Sequence, residues 1–320
     1  MPIDVGGTLN FGGTAEASPA AGDFWYENGK FYFVSEGDVG VGVWTASGNL
    51  NTAHKYMAAA GTQNEAVFMG GDVGPNSNVC EEYNGTTWTA SNNINTARRK
   101  LAGCGTQNAA VCMGGNTGAI SAVTEEYNGT CWAAANAMNT ARDRLAGAGT
   151  LSAGLSMGGD TSGVSAVTEE YNGTTWAASN NLNTARSMLA GAGTQNAAFS
   201  AGGTTGAVSA VTEEYDGTSW TTVNAMSVAR SDLAGCGSPS AGLTFGGYDG
   251  SGYGETEEYN GTSWSTGGSF LTARKELGGA GTQSAGLSIG GADPIRNTTE
   301  EYSRGLYDHG IYHSLAIVEV

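Results

Sequence analysis

The sequence predicts an all-β protein, a β-propeller in which one four-stranded unit repeats around a central axis. Two observations support this prediction. Glycine pairs close short apolar runs at a spacing of 44 residues, beginning with Gly70-Gly71 and Gly114-Gly115. Each interval of that length contains four short β-type segments separated by turn residues, which is the size and strand content of a propeller blade.

In the fourth unit the four strands follow one another in order. The first, MLAGAGT (188–194), consists mainly of small residues, as expected where the blades converge on the axis. A Gln-Asn turn leads to the apolar second strand, AAFSAGG (197–203). The third, AVTEEY (210–215), is joined by Asp216-Gly217 to the fourth, and such two-residue links are strong hairpin signals. The fourth ends at Trp220, whose large side chain can fill the wedge between blades.

Two further features keep their chemistry from unit to unit. A basic residue, His54 in the first unit and Arg afterwards, recurs with the same spacing as a Glu-Glu-Tyr triplet. We expect each basic residue to pair with a Glu of a triplet, because a partly buried charge is costly unless it is paired. The alternative is a charged ring that binds an anion. The predicted structural residues are Trp44, Trp88, Trp132, Trp176, Trp220, Trp264, Arg98, Arg142, Arg186, Arg230, Arg274, Glu81, Glu125 and Glu169.

Composition excludes several classes of protein. The 53 glycines do not recur every third residue, so the chain is not collagen-like. A net charge of −17 makes nucleic acid a poor partner, because phosphate binding needs clustered Lys and Arg. The sequence contains no run of about 18 apolar residues, the pattern that predicts a membrane-spanning helix. The N-terminus does not resemble a signal peptide. The five cysteines lack a disulfide-like spacing, so we expect free thiols and synthesis in a reducing cytoplasm.

The order of motifs within each unit resembles the kelch repeat. The run VFMGG ends at Gly71, the triplet EEY follows at residues 81–83, and Trp88 completes the pattern. The resemblance implies a kelch-type β-propeller. The segments NGTTW, NLNTAR and LAGAGTQNAA also resemble kelch-like structural proteins of bacteriophages, notably marine ones. That second resemblance implies a non-enzymatic component of the virion.

The number of blades depends on the two ends of the chain. The strand of Trp44 precedes the first full unit, so in a six-bladed ring it would complete the last unit. Tyr307, however, follows Tyr302 at the five-residue offset that each Trp keeps from its Tyr. We therefore predict seven blades, six from the 44-residue repeats and a composite closing blade from residues 23–44 and 308–320. Six blades are the alternative.

The N-terminal segments have two predicted roles. In the composite blade, FWYEN and KFYFVS form a hairpin across Asn28-Gly29, VGVGVW is a third strand, and SLAIVEV from the C-terminus is the inner strand. Residues 1–22 are rich in Gly, Ala, Thr and Ser, which is typical of a flexible arm that becomes ordered against a partner. We expect this arm to attach the propeller to other virion proteins.

Signals for catalysis or metal binding are weak. The acidic and Asn-rich loops lack the pattern of alternating ligands that calcium loops use, and the Asn-Gly-Thr sequons are explained as turns. The sequence has no nucleophile elbow, phosphate-binding loop or His-Glu-x-x-His motif. His309 and His313 are set in a turn-and-strand context where their spacing does not converge on a metal. We expect no catalytic residue, no cofactor and no metal site.

Sequence variation is concentrated in the loops at one end of the blades. These loops link the second and third strands, and the fourth strand to the next blade, and binding usually resides in such loops on a rigid scaffold. The fifth and sixth units depart most from the repeat. The predicted partner-binding residues there are Tyr248, Asp249, Tyr253, Phe270, Asp293 and Arg296. Aromatic and Arg side chains commonly anchor interfaces, although docking of the N-terminal arm or sequence drift would also explain these residues.

Three functional hypotheses follow. The first is a phage virion component, a capsid decoration or tail- or fibre-associated protein that is assembled in the host cytoplasm. In that hypothesis the variable face contacts a host-surface glycan or protein, or a capsid or tail protein. The second is a cytoplasmic kelch adaptor that binds a protein partner. The third is a galactose oxidase-like enzyme or sugar-binding lectin, although the copper-ligand motifs of that class are not recognisable here.

Overall fold

A computed structural model of the chain describes residues 24–27, 30–33, 42–250 and 254–304. The chain divides into a unit of residues 42–304 and a unit of residues 1–41 with 305–320. In the second of these units, β1 (Phe24–Glu27) and β2 (Lys30–Phe33) pair antiparallel, with Glu27 opposite Lys30. This antiparallel pairing agrees with the predicted hairpin. The predicted arm (1–22) and the C-terminal strand (308–320) lie outside the described residues.

Residues 42–304 form a β-propeller of six four-stranded antiparallel blades, and no helix occurs in the described part of the chain. The first strand of the unit is β3 (Val43–Ser47). Blade 1 contains β4 (Ala58–Gly61), β5 (Ala66–Met69), β6 (Cys80–Tyr83) and β7 (Trp88–Ala90). Blade 2 contains β8 (Ala102–Thr106), β9 (Ala109–Met113), β10 (Thr124–Tyr127) and β11 (Trp132–Ala135). Blade 3 contains β12 (Ala146–Thr150), β13 (Ala153–Met157), β14 (Thr168–Tyr171) and β15 (Trp176–Ser179).

The remaining three blades repeat the same order. Blade 4 contains β16 (Ala190–Thr194), β17 (Ala197–Ala201), β18 (Thr212–Tyr215) and β19 (Trp220–Val223). Blade 5 contains β20 (Ala234–Ser238), β21 (Ala241–Phe245), β22 (Thr256–Tyr259) and β23 (Trp264–Thr266). Blade 6 contains β24 (Gly278–Gly281), β25 (Ala285–Ile289) and β26 (Thr299–Ser303), with β3 as its outer strand.

The ring closes through β3, which corrects the prediction of seven blades. Trp44 of β3 lies opposite Tyr302 of β26, the same register in which Trp88 lies opposite Tyr83 in blade 1. The pairing runs from Ser47 opposite Thr299 to Val43 opposite Ser303, so it occupies the edge of β26 that Tyr307 was expected to fill. The innermost strands contact one another in sequence around the ring, and β24 contacts β4. Six blades therefore close without a composite seventh blade, because residues 43–47 complete the sixth.

Small residues on the inner strands allow the blades to converge. A Cβ atom added to Gly147 would lie 2.9 Å from the carbonyl oxygen of Gly103 on the inner strand of the preceding blade. The second strand of each blade is almost entirely buried, as in Ala66–Met69. The core thus consists of apolar clusters between successive blades rather than one central cluster.

The two ends of the propeller differ in their connections. Links between the first and second strands and between the third and fourth strands lie at one end, which we call the hairpin face. Links between the second and third strands, and from the fourth strand to the next blade, lie at the other end, which we call the mouth face. The predicted partner-binding residues that the structure describes, Tyr248, Asp249, Phe270, Asp293 and Arg296, belong to loops of the mouth face. Among the described residues, no helix is long and apolar enough to cross a membrane.

Candidate functional site at the mouth of the central axis

Six residues, one from each unit, encircle the axis at the mouth face. We call them the rim residues, and they are Tyr56, Lys100, Arg144, Met188, Asp232 and Glu276. The backbone N–H of each donates to the carbonyl oxygen of the rim residue in the preceding unit, at N to O distances of 2.8 to 3.0 Å. The N–H of Tyr56 donates to Glu276, so the six hydrogen bonds form a closed circle.

The backbone of every rim residue is left-handed, with φ between 52° and 59°. This conformation costs a residue with a Cβ atom roughly 1–2 kcal/mol, and glycine adopts it freely. None of the six is glycine in a chain that contains 53 glycines. Side chains retained against backbone strain are typical of functional sites.

The rim residues surround a cavity whose walls also include the next residue of each unit. These deeper residues are Met57, Leu101, Leu145, Leu189, Leu233 and Leu277, and all are buried. The cavity has a volume of about 90 Å³ and is open to solvent. It therefore combines an apolar floor with a rim of polar and charged groups, as small-molecule sites do.

Charge is distributed unevenly around this rim. Lys100 and Arg144 are adjacent in the circle, and Asp232 and Glu276 are adjacent on the opposite side. Tyr56 and Met188 separate the two pairs, because the order of the circle is the order of the units. The mouth is thus cationic on one side and anionic on the other.

Two of the four charged rim residues have ion-pair partners outside the rim. The Nζ of Lys55 lies 3.3 Å from Oε2 of Glu276. The guanidinium of Arg144 lies 3.1 Å from Oδ2 of Asp160. Burial, together with a hydrogen bond to Glu276, raises the pKa of Tyr56, so this hydroxyl stays protonated.

Lys100 and Asp232 form no ion pair within the described part of the chain. The Nζ of Lys100 lies 5.0 Å from the ring centroid of Tyr56, and burial beside Arg144 lowers its pKa. Asp232 accepts a hydrogen bond from the hydroxyl of Ser231 at 3.2 Å. Burial and the neighbouring Glu276 raise the pKa of Asp232 to about 6. Both charged groups are half-buried and lie on opposite sides of the same cavity.

Basic side chains are concentrated around this mouth in an otherwise acidic protein. Of the 13 Lys and Arg residues, five are the repeated arginines. Five others occupy the rim or the position immediately before it, namely Lys55, Arg99, Lys100, Arg144 and Lys275. The position before the rim forms an antiparallel backbone bridge with the residue after each Gly-Gly pair, so the mouth has a second circle of side chains outside the rim.

The predicted partner-binding residues lie in different environments. Tyr248 is 38 % exposed, bridges Ser231 through its backbone, and has the Nζ of Lys275 at 4.6 Å from its ring centroid. Asp249 is half-buried in the same loop. Tyr253 lies outside the described residues.

The other three predicted residues belong to the blade 6 side of the mouth face. Asp293 is exposed and lies 3.0 Å from the Nζ of Lys275. Arg296 is half-buried and donates to the carbonyl of Asp293 at 3.1 Å. Phe270, in contrast, is buried against Trp44 and beneath the guanidinium of Arg274. We expected it on an exposed face, but its ring packs inside the molecule because it occupies a repeat position that is apolar in every unit, as Met226 is in the preceding one.

The repeated arginines are buried and each contacts the first Glu of a triplet. The pairs are Arg98–Glu125, Arg142–Glu169, Arg186–Glu213, Arg230–Glu257 and Arg274–Glu300, with N to O distances of 2.5 to 3.1 Å. Arg186 also donates to the carbonyls of Gly202 and Val211 and to the hydroxyl of Ser200. Since these guanidinium groups are inaccessible to solvent, they do not form a ring open to an anion.

In the first unit the repeat position of these arginines is occupied by a histidine. His54 is fully buried, with Nδ1 near the carbonyl of Thr52 and Nε2 near the hydroxyl of Ser77. Phe68, whose ring lies 4.9 Å from His54, replaces the Ser or Thr that contacts Arg in blades 3 to 6. Burial lowers the pKa of His54. Glu81 accepts hydrogen bonds from Asn51, as Glu169 does from Asn139, but the Arg142–Glu169 ion pair has no counterpart among the described residues of the first unit.

Two further series of hydrogen bonds join neighbouring blades. Each triplet Tyr donates its hydroxyl to the second Glu of the preceding blade, as Tyr215 does to Glu170 at 2.5 Å. The tryptophan indole N–H donates to a Thr hydroxyl of the preceding blade, as Trp220 does to Thr168 at 3.1 Å. Trp132 is the exception, because Cys80 stands where the other blades place Thr, and its indole N–H has no partner.

The rim was not among the residues singled out in the sequence. A signal was present, since one position that differs in all six units stands directly before a position that is Leu in five of them. The left-handed conformation has no such signal, because the six residues that adopt it include aromatic, apolar, basic and acidic side chains and no glycine.

Comparisons with known proteins leave the family open. No protein-family model matches the chain, and no curated protein has significant sequence similarity to it. The six-bladed ring is consistent with a kelch-type propeller. Among the described residues, no three His, Cys, Asp or Glu side chains are grouped so that they could hold a metal ion.

Proposed function

We propose that this protein is a non-enzymatic binding scaffold whose mouth face carries the binding surface. The observation that supports this most directly is the rim, where six different side chains are kept at positions whose backbone favours glycine. The rest of the repeat uses its side chains to join blades, so it supplies rigidity. Binding sites on rigid scaffolds commonly lie in such variable connections.

We further propose that the scaffold serves in a phage virion, as a capsid decoration or a tail- or fibre-associated protein. The support is the resemblance of its repeat segments to kelch-like structural proteins of bacteriophages. In this proposal residues 1–22 attach the propeller to other virion proteins. The mouth face then contacts a host-surface glycan or protein, or a neighbouring virion protein.

Mass spectrometry and electron microscopy of purified particles test the virion role. We expect the chain in particles at a fixed stoichiometry, with loss of incorporation when residues 1–22 are deleted. Particles without the chain would overturn the virion role. A stoichiometric protein partner in cells without particle association would instead support a cytoplasmic adaptor.

A matched pair of variants tests which face binds. Thr205 is exposed in a loop of the mouth face, and Thr174 is exposed in a turn of the hairpin face. Thr205→Arg adds bulk and charge near the proposed surface, and Thr174→Arg makes the same change on the other face. We expect Thr205→Arg to weaken attachment to the target surface and Thr174→Arg to leave it unchanged. The reverse result would assign binding to the hairpin face.

A further inference from the structure

The mouth holds two charged groups that form no ion pair within the described part of the chain. Lys100 and Asp232 are the second and fifth members of the rim circle, so they lie diametrically opposite each other. Neighbouring residues joined by such backbone hydrogen bonds have Cα atoms about 5 Å apart, which places opposite Cα atoms of a six-membered circle about 10 Å apart. A small molecule between them reaches both groups at once.

Each of the two charged groups has a neighbour of the same sign. Arg144 lies next to Lys100, and Glu276 lies next to Asp232. Arg144 forms an ion pair with Asp160, and Glu276 forms one with Lys55, so both have partners outside the rim. Within the rim each of them has the same sign of charge as its neighbour. An anion alone would meet the opposing carboxylates, and a cation alone would meet the opposing Lys and Arg.

We propose that the mouth binds a small zwitterion, with its anionic group against Lys100 and its ammonium group against Asp232. The chemical class is an amino acid or ω-amino acid with a short aliphatic segment between its two charges. The floor of Met57 and five Leu side chains accommodates that segment. The cavity of about 90 Å³ restricts the ligand to a few heavy atoms below the rim. This inference concerns the same face as the proposed function, but it does not require a virion or a macromolecular partner.

The methionine methyl groups provide a direct readout. Met57 and Met188 line the cavity, whereas Met69, Met113 and Met157 are buried in strands away from it. In the purified full-length chain labelled with ¹³C-methyl methionine, glycine, β-alanine, 4-aminobutyrate and 6-aminohexanoate are titrated in turn. We expect at least one member of the series to shift the Met57 and Met188 signals saturably without moving those of Met69, Met113 and Met157. Acetate and methylammonium each carry one of the two charges. Their affinity should be lower than that of the zwitterion by a factor of roughly ten or more.

Variants distinguish the two charged ends. Lys100→Gln and Asp232→Asn should each weaken the zwitterion by roughly 10-fold to 100-fold, the effect of losing one charge-assisted hydrogen bond. Asn tolerates the left-handed backbone well, so Asp232→Asn keeps the fold. Arg304→Gln removes one positive charge from outside the mouth and should leave affinity unchanged. The exchange variant Lys100→Asp with Asp232→Lys should bind no better than the single variants, because Arg144 and Glu276 would then stand beside residues of opposite charge.

Three results would overturn the proposal. They are absence of a Met57 or Met188 shift with the whole series, equal binding of acetate or methylammonium, and unchanged affinity in both single variants. Circular dichroism of each variant confirms that it is folded. Because the measurement uses the isolated protein, it can succeed when the chain is absent from particles and can fail when the chain is present in them. Failure here is therefore distinguishable from failure of the virion role.

Discussion

The outer part of the blades and the axial mouth use their side chains in opposite ways. In the outer part, Tyr, Trp, Arg and Glu recur at fixed positions, and their hydrogen bonds join neighbouring strands or blades. At the mouth the backbone is the constant element, a circle of six hydrogen bonds, and the side chains differ in every unit. We refer to the first region as the outer belt.

The comparison distinguishes two kinds of geometry that repeat from unit to unit. In the outer belt the bonding atoms belong to side chains, so the repeat must keep the residue type. In the rim the bonding atoms belong to the backbone, so the residue type is free to change once the left-handed conformation is tolerated. A repeat position that varies is therefore not necessarily a position without structural order. The rim is highly ordered and chemically variable, which is the combination that a binding site needs.

Trp44→Ala should have the largest effect and tests whether residue 44 belongs to the outer belt. Its indole donates to Thr256 at 2.8 Å and its ring packs against Phe245 and Tyr302. We expect a loss of about 3–5 kcal/mol of unfolding free energy, as for other buried aromatic residues. Urea denaturation should give the same loss for Trp220→Ala. A much smaller loss for Trp44→Ala would place its strand outside the ring.

Tyr215→Phe removes one hydrogen bond between blades while it keeps the ring. The hydroxyl donates to Glu170 at 2.5 Å, so the variant leaves a half-buried carboxylate with one partner fewer. We expect a loss of about 1–3 kcal/mol in urea denaturation. The double variant with Glu170→Gln should lose less than the sum of the two single variants. Additive losses would show that the bond contributes nothing beyond its separate ends.

Acid should destabilise the protein through His54, which occupies in the first unit the repeat position that is Arg in the other five. Burial holds its folded pKa below the unfolded value, so the unfolded chain binds the proton more tightly. Stability from His54 is therefore complete above pH about 6.5 and falls as pH drops below it, by at most about 1.4 kcal/mol per pH unit.

The difference between wild type and His54→Gln isolates this effect. Asp232 has the opposite sign, because its raised pKa of about 6 makes the folded chain bind the proton more tightly. That contribution is common to both proteins and cancels when their unfolding free energies are subtracted at each pH. A difference that stays constant between pH 7 and pH 5 would mean that His54 remains neutral or is charged in both states.

Cys80→Thr should stabilise the protein by completing the outer belt. The variant supplies the hydroxyl that Trp132 lacks, and five other tryptophans already donate to a Thr at this position. We expect a gain of about 0.5–1.5 kcal/mol, measured by urea denaturation. Cys80→Val has nearly the same shape without an acceptor and should give no gain. An equal gain in both variants would attribute it to packing.

The sequence alone predicted much of the outer belt and little of the mouth. The Gly-Gly pairs, the Asp216-Gly217 type of turn and the Trp spacing are local signals, so they identified the four strands of each blade. Blade number was harder, because Trp44 and Tyr307 both suit the edge of β26 in sequence. Only the pairing of strands more than 250 residues apart decides between them.

The mouth was hidden for a different reason. Its six residues share a backbone conformation but differ in residue type, so a search for repeated residue types does not detect them. The opposition of their charges could not be predicted either, since Lys100 and Asp232 come from units far apart in the chain. Opposition across the axis exists only after the ring has closed.

Met188→Gly should have the smallest effect on stability, and it sharpens the comparison most. Met188 has φ of 55° and a half-buried side chain. Glycine relieves roughly 1–2 kcal/mol of backbone strain, but it costs about 0.5–1 kcal/mol in unfolded-chain entropy. It also loses about 1 kcal/mol from partial burial of the side chain. These contributions nearly cancel, so urea denaturation should change by less than about 1 kcal/mol. Leu189→Gly, at the buried position one residue later, should lose about 2–5 kcal/mol because it opens a cavity. If Met188→Gly were as damaging as Leu189→Gly, the rim side chains would be structural, and their variation would then need an explanation other than binding.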